Sequence, residues 1–205
     1  MPTPLPSPPQ RHVLLLRRYG WVVGAAVAVA AVTAAAELWM GRLPLGPDGR
    51  FGWWEGNIWS SAQSQRVADP YTFSHTIHGM AFYALLWLAA RRVPVRARFV
   101  WALVLEGAWE ILENSPIIIN RYREATIALG YVGDSVLNSV SDLGFAALGF
   151  LFAWRARLWV TLLAIAVMEL GTLLLMRDNL ALNIIMLIHP IDAIKAWQMA
   201  GRPMP

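Results

Sequence analysis

The sequence predicts an all-α protein, a polytopic bundle of transmembrane helices. Of its 205 residues, 57% are hydrophobic and only 15% are charged, which is too apolar for an ordinary soluble domain. The apolar residues stand in long blocks, and about 20 of them are enough for a helix to cross the hydrocarbon of a bilayer. The chain has no Cys, which excludes a disulfide framework and a thiolate metal site.

Five blocks along the chain have the length of a membrane span. They cover residues 20–40, 71–90, 99–117, 131–154 and 158–176. A sixth stretch, 180–197, is apolar but contains Pro190, which cannot continue the hydrogen bonding of a helix. We therefore predict about five spans followed by an interfacial or half-inserted C-terminal helix, with a sixth span as the alternative.

The blocks predict one helical domain over residues 20–198. A disordered, basic N-terminus (1–19) should precede it and a short tail (199–205) should follow it. An external segment, 41–70, joins the first two spans, and its Trp-rich part is expected to cap the membrane surface, with a substrate-binding lid as the alternative. The first block also has features of a signal peptide, so cleavage remains an alternative to an uncleaved anchor.

Arginine residues orient the predicted bundle. Segments 1–19, 91–98 and 155–157 contain nine of the 17 basic residues and no acidic residue. Loops on the cytoplasmic side are enriched in Lys and Arg, so we predict a bacterial inner-membrane protein with a cytoplasmic N-terminus. The basic residues are spread between apolar blocks rather than along one face. We therefore expect membrane lipids as partners and no nucleic acid.

Three carboxylates interrupt the third span on one helical face. Glu106, Glu110 and Glu113 are spaced i, i+4 and i+7, and Asn114 follows Glu110 by four residues, so all four share a face. A charge at membrane depth costs about 2.5–3.5 kcal/mol on insertion scales. These side chains should therefore face the interior of the bundle.

Two other spans carry matching polar faces. Asp134, Asn138 and Asp142 are spaced i, i+4 and i+8 in the fourth span, and His75 and His78 are spaced i, i+3 in the second. At a rise of about 1.5 Å per residue, the three groups converge on the outer half of the bilayer, with Glu106 and Asp142 deeper, near its midplane. The inner halves of these spans are apolar, so we expect one polar chamber that opens outward.

We interpret the chamber as the site of an intramembrane enzyme that acts on a lipid-linked or envelope substrate. Carboxyl groups buried beside other negative charges can exchange protons near neutral pH. The candidate catalytic residues are Glu110, Glu113, Asp134 and Asn138. The candidate substrate-binding residues, of which the two arginines could hold a phosphate group, are Asn114, Arg121, Arg123 and Ser135. His75 and His78 could bind a divalent metal together with the carboxylates.

Two other interpretations of the polar residues remain open. They could form a hydrogen-bonded core that only fixes the helix register, or they could bind protons or ions in a transport component. No catalytic signature such as HExxH or GxSxG is present. Glu37 is predicted to be interfacial, and Glu169, near the middle of the fifth span, has no obvious partner in the sequence.

Three motifs also carry a resemblance to a known family. The stretches TFSHTIHG, EGAWEILENSPIIINRYR and GYVGDSVLNSVSD resemble an uncharacterised family of alphaproteobacterial inner-membrane proteins, over most of the chain from about Gly41 onward. The Glu-bearing helix, the arginine and the Asp134/Asn138 spacing are more weakly similar to VanZ-like membrane proteins. The resemblance implies a multi-pass membrane location and no particular reaction.

Overall fold

The computed structural model describes residues 8–128 and 130–202, and their side chains from Tyr19 onward. The described residues form eight α-helices and no β-strand, apart from one isolated bridge between Trp54 and Ala68. The helices are α1 (Pro8–Trp39), α2 (Thr72–Ala89), α3 (Val95–Glu113), α4 (Pro116–Ala125), α5 (Val136–Arg155), α6 (Leu158–Met176), α7 (Leu180–Ile188) and α8 (Asp192–Met199).

The predicted fold class, an all-α membrane bundle, is confirmed. Within the described residues, three helices are long and apolar enough to cross a membrane: Tyr19–Trp39 of α1, α5 and α6. Helices α2 and α3 have 18 and 19 residues, but they carry the histidines and carboxylates, which lower their hydropathy. That these two helices also span the bilayer stays a prediction.

Burial in this molecule is the reverse of that in a soluble protein. Among the buried residues, polar and charged side chains outnumber hydrophobic ones. Large apolar side chains face outward instead; Leu174 and Leu175 of α6 are 83% and 85% exposed. Such a surface is stable in hydrocarbon and unfavourable in water, which agrees with a membrane location.

Helices α2 and α5 form the closest pair in the bundle, and two glycines make this possible. A Cβ on Gly79 would lie 1.9 Å from the carbonyl oxygen of Ala146, and one on Gly149 would lie 2.0 Å from that of Thr76. Small residues at a helix crossing let the two backbones touch. Helix α3 packs against both α2 and α5, and α1 covers α3 and α5 from the other side.

The bundle has an apolar end and a polar end. Where α2 ends and α3 begins, Leu86, Ala102 and Phe150 form a buried apolar cluster. The opposite end, where α3 ends and α5 begins, collects the buried polar residues and is called the site end below. Segment 41–70 covers the site end and bonds to the start of α5, since the amide of Val136 donates to the carbonyl of Leu43.

Several element boundaries differ from the sequence predictions. Helix α1 begins at Pro8, so residues 8–19 of the predicted disordered N-terminus are helical, while residues 1–7 lie outside the described part. Helix α5 begins at Val136 because Ser135 caps it, its hydroxyl accepting from the amide of Asn138. Asp134 and Ser135 therefore precede the helix instead of lying in its first turns.

Two prolines end helices as expected. Helix α3 stops at Glu113, and Pro116 is the first residue of α4, the position in a helix that tolerates proline best. The C-terminal stretch breaks at Pro190 into α7 and α8, of nine and eight residues. Neither is long enough for a sixth span. Of the predicted tail 199–205, residues 203–205 lie outside the described part.

Candidate functional site

A cavity of about 720 Å³ lies at the site end. It is bounded by α2, α3 and α5, and by residues of segment 41–70, α4 and α7. The three predicted polar faces meet here. The titratable and amide side chains of those faces that line the cavity are His75, His78, Glu113, Asp134, Asn138 and Asp142.

Both histidines of α2 contact the same carboxylate on α3. His75 Nδ1 lies 2.7 Å from Glu106 Oε1, and His78 Nδ1 lies 3.2 Å from Glu106 Oε2. Glu106 is fully buried, whereas the two imidazoles face the cavity. The i, i+3 spacing of the histidines places both rings on the side of α2 that packs against α3.

Glu110 lies one turn beyond Glu106 and has no hydrogen-bond donor of its own, since it shares His75 with Glu106. Its side chain is fully buried, and neither carboxylate oxygen has a partner among the described residues. His75 Nδ1 is 3.1 Å from Glu110 Oε1, but a ring nitrogen holds at most one hydrogen, and its shorter contact is to Glu106. Glu110 is thus a buried acid without the partners that such a group normally requires.

Glu113 reaches the cavity wall from the last turn of α3. The hydroxyl of Tyr122 donates to its Oε1 at 2.8 Å, whereas its Oε2 has no partner among the described residues. One donor atom each from His75, Glu110 and Glu113 lies within 4.8 Å of the other two. The three groups form a compact cluster in which only one carboxylate oxygen accepts a well-formed hydrogen bond.

Asn114 and Asp134, in contrast, satisfy each other. The Asn114 amide donates to Asp134 Oδ2 at 2.9 Å, and Asn114 Oδ1 accepts from the Asp134 backbone amide at 2.6 Å. Tyr131 donates to the second oxygen, Asp134 Oδ1, at 2.9 Å. Gly133, with φ of 90°, turns the chain into this position, and glycine adopts that conformation without strain.

Ser135 and Asn138 have structural contacts as well. Ser135 is fully buried as the cap of α5. The Asn138 side chain reaches the cavity and donates to the backbone carbonyl of Arg66 at 2.9 Å, which fastens segment 41–70 to α5. Of the predicted substrate-binding residues, Asn114 and Ser135 therefore hold the fold together and do not line the cavity.

Arg121 and Arg123 both donate to backbone carbonyls. Arg121 Nε donates to the carbonyl of Leu187 at 2.8 Å, at the end of α7. Arg123 Nε donates to the carbonyl of Tyr131. Neither arginine lines the cavity, and both are engaged by backbone oxygens; a phosphate site formed by these two side chains stays a prediction.

Three further acids, Glu37, Asp69 and Asp178, are buried near the site. Glu37 is fully buried near Ser139 and Glu110; it is not interfacial. Asp69 and Asp178 lie outside the membrane-spanning helices, and burial raises the pKa of each to about 6. The i, i+4 spacing of buried Thr33 and Glu37 is a sequence signal that would have placed Glu37 on an inward face.

Glu169 also has a defined partner. Its two oxygens accept from the backbone amides of Leu180 and Ala181 at 3.0 and 3.1 Å. These amides open α7, and a carboxylate stabilises the positive end of a helix dipole. Glu169 therefore fixes α7 beside the cavity and belongs to the scaffold.

Comparison with known proteins identifies relatives along almost the whole chain. Residues 37–200 match the family described as "Protein of unknown function (DUF2585)". A UPF0314 protein of Sphingopyxis alaskensis is 51% identical over 190 residues, which cover 91% of this chain and 98% of the relative. A UPF0314 protein of Rhizobium johnstonii is 49% identical over 178 residues, covering 87% and 91%. No solved structure matches the chain.

These relatives confirm the predicted resemblance to an uncharacterised alphaproteobacterial family. A UPF0314 protein of Paracoccus denitrificans, 48% identical over 84% of this chain and 89% of its own length, agrees. The weaker similarity to VanZ-like proteins stays a prediction.

Proposed function

This chain belongs to the DUF2585 family of proteins of unknown function, and we propose that it is a multi-pass enzyme of the inner membrane. Its substrate is an amphiphile, a lipid-linked or envelope molecule that enters the cavity at the site end. One observation carries the proposal. His75, Glu110 and Glu113 bring donor atoms within 4.8 Å of one another beside a large cavity, and three oxygens of the two glutamates have no hydrogen-bond partner.

The unpaired oxygens beside the cavity support a used site over a structural polar core. In a core that only fixes helix register, each buried polar group is expected to find a partner, as Asn114 and Asp134 do. Glu110 has no such partner, and leaving a buried acid unsatisfied costs free energy. Such a group is retained where its proton or its charge is needed in a reaction.

The two glutamates take the roles of proton carriers in this proposal. Glu113 lines the cavity and can exchange a proton with a substrate or an attacking water. Glu110 lies directly behind it in the same cluster and can hold a second proton, so the pair supplies a general base and a general acid. Asp134 and Asn138 hold the entry of α5 in place at the cavity wall.

The walls of the cavity fit an amphiphilic substrate. Leu105, Trp109 and Leu112 of α3 and Ile184 and Leu187 of α7 line the cavity together with the histidines and carboxylates. A volume of about 720 Å³ lies within the range of small-molecule sites, about 300–1,000 Å³.

The proposed orientation places the site on the outer side of the membrane. Arginines at the apolar end stack on aromatic rings, an arrangement suited to a membrane–water interface. The pairs are Arg91 with Trp87, Arg96 with Tyr19, and Arg155 with Trp154. Together with the excess of arginine in the same loops, this supports a cytoplasmic N-terminus and apolar end.

A transport function is less well supported by the packing. A path for protons or ions needs polar groups from one side of the membrane to the other. Below the site, Leu86, Ala102 and Phe150 form a buried apolar cluster between α2, α3 and α5. This cluster favours a chamber that opens on one side.

Complementation of a deletion strain tests the enzymatic role. Glu110→Gln and Glu113→Gln keep the side-chain shape and remove the exchangeable proton. We expect both variants to fold and to lose complementation at matched expression. The control is Glu124→Gln, which makes the same change on an exposed side chain of α4. Full complementation by both site variants would contradict the proposal.

A cavity-filling pair tests the amphiphile. Ala108 lines the cavity, whereas Val104, one turn earlier on α3, is exposed and does not. We expect Ala108→Trp to abolish complementation because the new ring occupies the place of the substrate. Val104→Trp should complement, since it adds the same ring outside the cavity. Equal complementation by the two variants would rule out the cavity as the binding site.

A further inference from the structure

The side chains of His75, His78 and Glu106 are arranged as a set of metal ligands. One donor atom from each lies within 4.8 Å of the other two. His78 Nδ1 and Glu106 Oε2 are 3.2 Å apart, and His75 Nδ1 and Glu106 Oε1 are 2.7 Å apart. Ligands bound to one zinc ion at about 2.0–2.2 Å are separated by about 3.0–3.5 Å. The His78–Glu106 pair already has that spacing, and the His75–Glu106 pair needs to open by only a few tenths of an ångström.

Hydrogen bonds alone do not account for the cluster. His75 Nδ1 faces both Glu106 and Glu110 but can donate to only one of them. Within the described residues, no Lys or Arg lies within 4.0 Å of a carboxylate in the cluster. Glu110 is fully buried and both its oxygens lack a partner. A cation at this position would interact with Glu106 and Glu110 at once, which a single proton on His75 Nδ1 cannot do.

We propose that His75, His78 and Glu106 bind a divalent transition-metal ion at the base of the cavity, with Glu110 beside it. Two imidazoles and one carboxylate suit zinc, iron or manganese. The proposal deepens the proposed function and rests on it, because it names the cofactor of the same site. The second cluster, His75 with Glu110 and Glu113, shares His75, so the unpaired glutamates border the ion.

The position of the ligands fits a catalytic rather than a structural ion. His75 and His78 line the cavity, whereas Glu106 is buried behind them. Three protein ligands leave a coordination position open towards the cavity for water or substrate, as catalytic zinc sites do. Glu110 and Glu113 then lie where a base would be needed.

Asp142 provides the partner that a ligating histidine requires. His75 Nε2 lies 3.9 Å from Asp142 Oδ2, and Asp142 Oδ1 is buried without a hydrogen bond in the described structure. A histidine that binds a metal through one nitrogen usually gives the proton of the other to a carboxylate, directly or through water. Asp142 is thus a positioning residue for His75.

Metal analysis of the purified full-length protein tests the site. The protein is prepared in detergent without chelators, with an affinity tag that contains no histidine, and its metal content is measured by mass spectrometry. We expect about one zinc, iron or manganese ion per chain. Removing a residue that only hydrogen-bonds to a metal ligand weakens metal binding by about 10- to 100-fold. Removal of a ligand itself, by His78→Ala or Glu106→Gln, should weaken metal binding at least as much. His189→Ala, an exposed histidine, should bind as the wild type does.

A second measurement uses only the wild-type protein, so it tests the site even where the variants fail to fold. Wild-type protein stripped with a chelator is titrated with Zn²⁺, Mn²⁺ or Co²⁺ alone, and thermal unfolding and the visible spectrum of Co²⁺ are recorded. The proposal predicts a saturable increase in unfolding temperature and Co²⁺ bands typical of nitrogen and oxygen ligands. A wild-type protein that contains no metal and binds none of the three ions overturns it.

The outcomes separate the metal proposal from the enzymatic one. If no ion binds but Glu110→Gln still loses complementation, the metal site is wrong and the acid–base site stands. If the ion binds through His75 and His78 but Glu110→Gln complements fully, the metal site stands and the catalytic role of Glu110 is wrong.

Discussion

Asn114 and Asp134 bond to each other twice, once through side chains and once through the Asp134 backbone amide. This pair fastens the end of α3 to the residues that precede α5. It sits directly beside Glu110 and Glu113, because the Asn114 amide also donates to the carbonyl of Glu110 at 3.1 Å. The satisfied pair fixes the two helices between which the unpaired glutamates are held.

The pair predicts a large loss of stability for Asn114→Ala. Removal of the amide leaves the buried amide of Asp134 and one of its oxygens without a partner, and each unpaired group costs about 1–3 kcal/mol. We expect the free energy of unfolding in mixed detergent micelles to fall by at least about 2 kcal/mol. The control Asn120→Ala, on the exposed face of α4, should change it by less than about 0.5 kcal/mol.

A double-mutant cycle with Asp134→Ala checks that the two residues act together. Residues in direct contact couple by about 0.5–3 kcal/mol. Strictly additive losses in the double variant would mean that the pair is not a stabilising unit.

The glycine crossing of α2 and α5 predicts a steric effect of a single methyl group. In Gly79→Ala the new Cβ would meet the carbonyl oxygen of Ala146 at 1.9 Å, so the helices must separate. Overpacking costs about 1–3 kcal/mol and sometimes more. Gly144→Ala on α5 meets no atom within 4 Å and should be neutral or stabilising by up to about 1 kcal/mol. Equal stability of the two variants in detergent would contradict the observed crossing.

Asp178 predicts a pH dependence of stability. It lies between α6 and α7 and accepts hydrogen bonds from the side chains of Tyr71, Asn183 and Gln198. Burial raises its pKa from 3.8 to about 6. The folded state holds the proton of Asp178 more tightly than the unfolded state does. Protonated Asp178 therefore adds to the free energy of unfolding, fully below about pH 4, and this addition is lost as pH rises through about 6.

The variant Asp178→Asn isolates that contribution because an amide does not titrate. Between about pH 4 and pH 7, the decline in stability should be smaller in the variant, by up to about 3 kcal/mol for a pKa difference of this size. Thermal unfolding in detergent at a series of pH values measures both profiles. Parallel profiles would show that Asp178 titrates alike in the folded and unfolded states.

The proposed topology predicts which loops are accessible from outside the cell. The chain has no native cysteine, so single cysteines report cleanly. Pro47→Cys, in the exposed part of segment 41–70, should react in intact cells with a thiol reagent that does not cross membranes. Arg92→Cys, in the exposed turn between α2 and α3, should react only after the cells are opened. The reverse pattern would invert the orientation and place the site on the cytoplasmic side.

The sequence predicted the helices and the convergence of polar faces because both follow from spacing. Glu106 and Glu110 occupy one inward face, and His75 meets that face from α2. The helical spacing of these residues and their positions along the predicted spans indicate this meeting. Asp134 was misplaced in a helix because the cap at Ser135 was not recognised. The contacts of the arginines have no such periodic signal. Arg121 donates to a backbone carbonyl 66 positions away in the sequence, and Arg123 donates to one eight positions away.

A comparison of envelope lipids by mass spectrometry tests whether this protein acts on a lipid-linked substrate at the site. Total lipid and lipid-linked extracts are taken from the wild-type strain, the deletion strain, and deletion strains that express Glu110→Gln or Glu124→Gln at matched levels. We expect one amphiphilic species to accumulate in the deletion and Glu110→Gln strains and to return to the wild-type level with Glu124→Gln. Identical lipid profiles in all four strains would contradict an enzyme that acts on a lipid-linked substrate at this site.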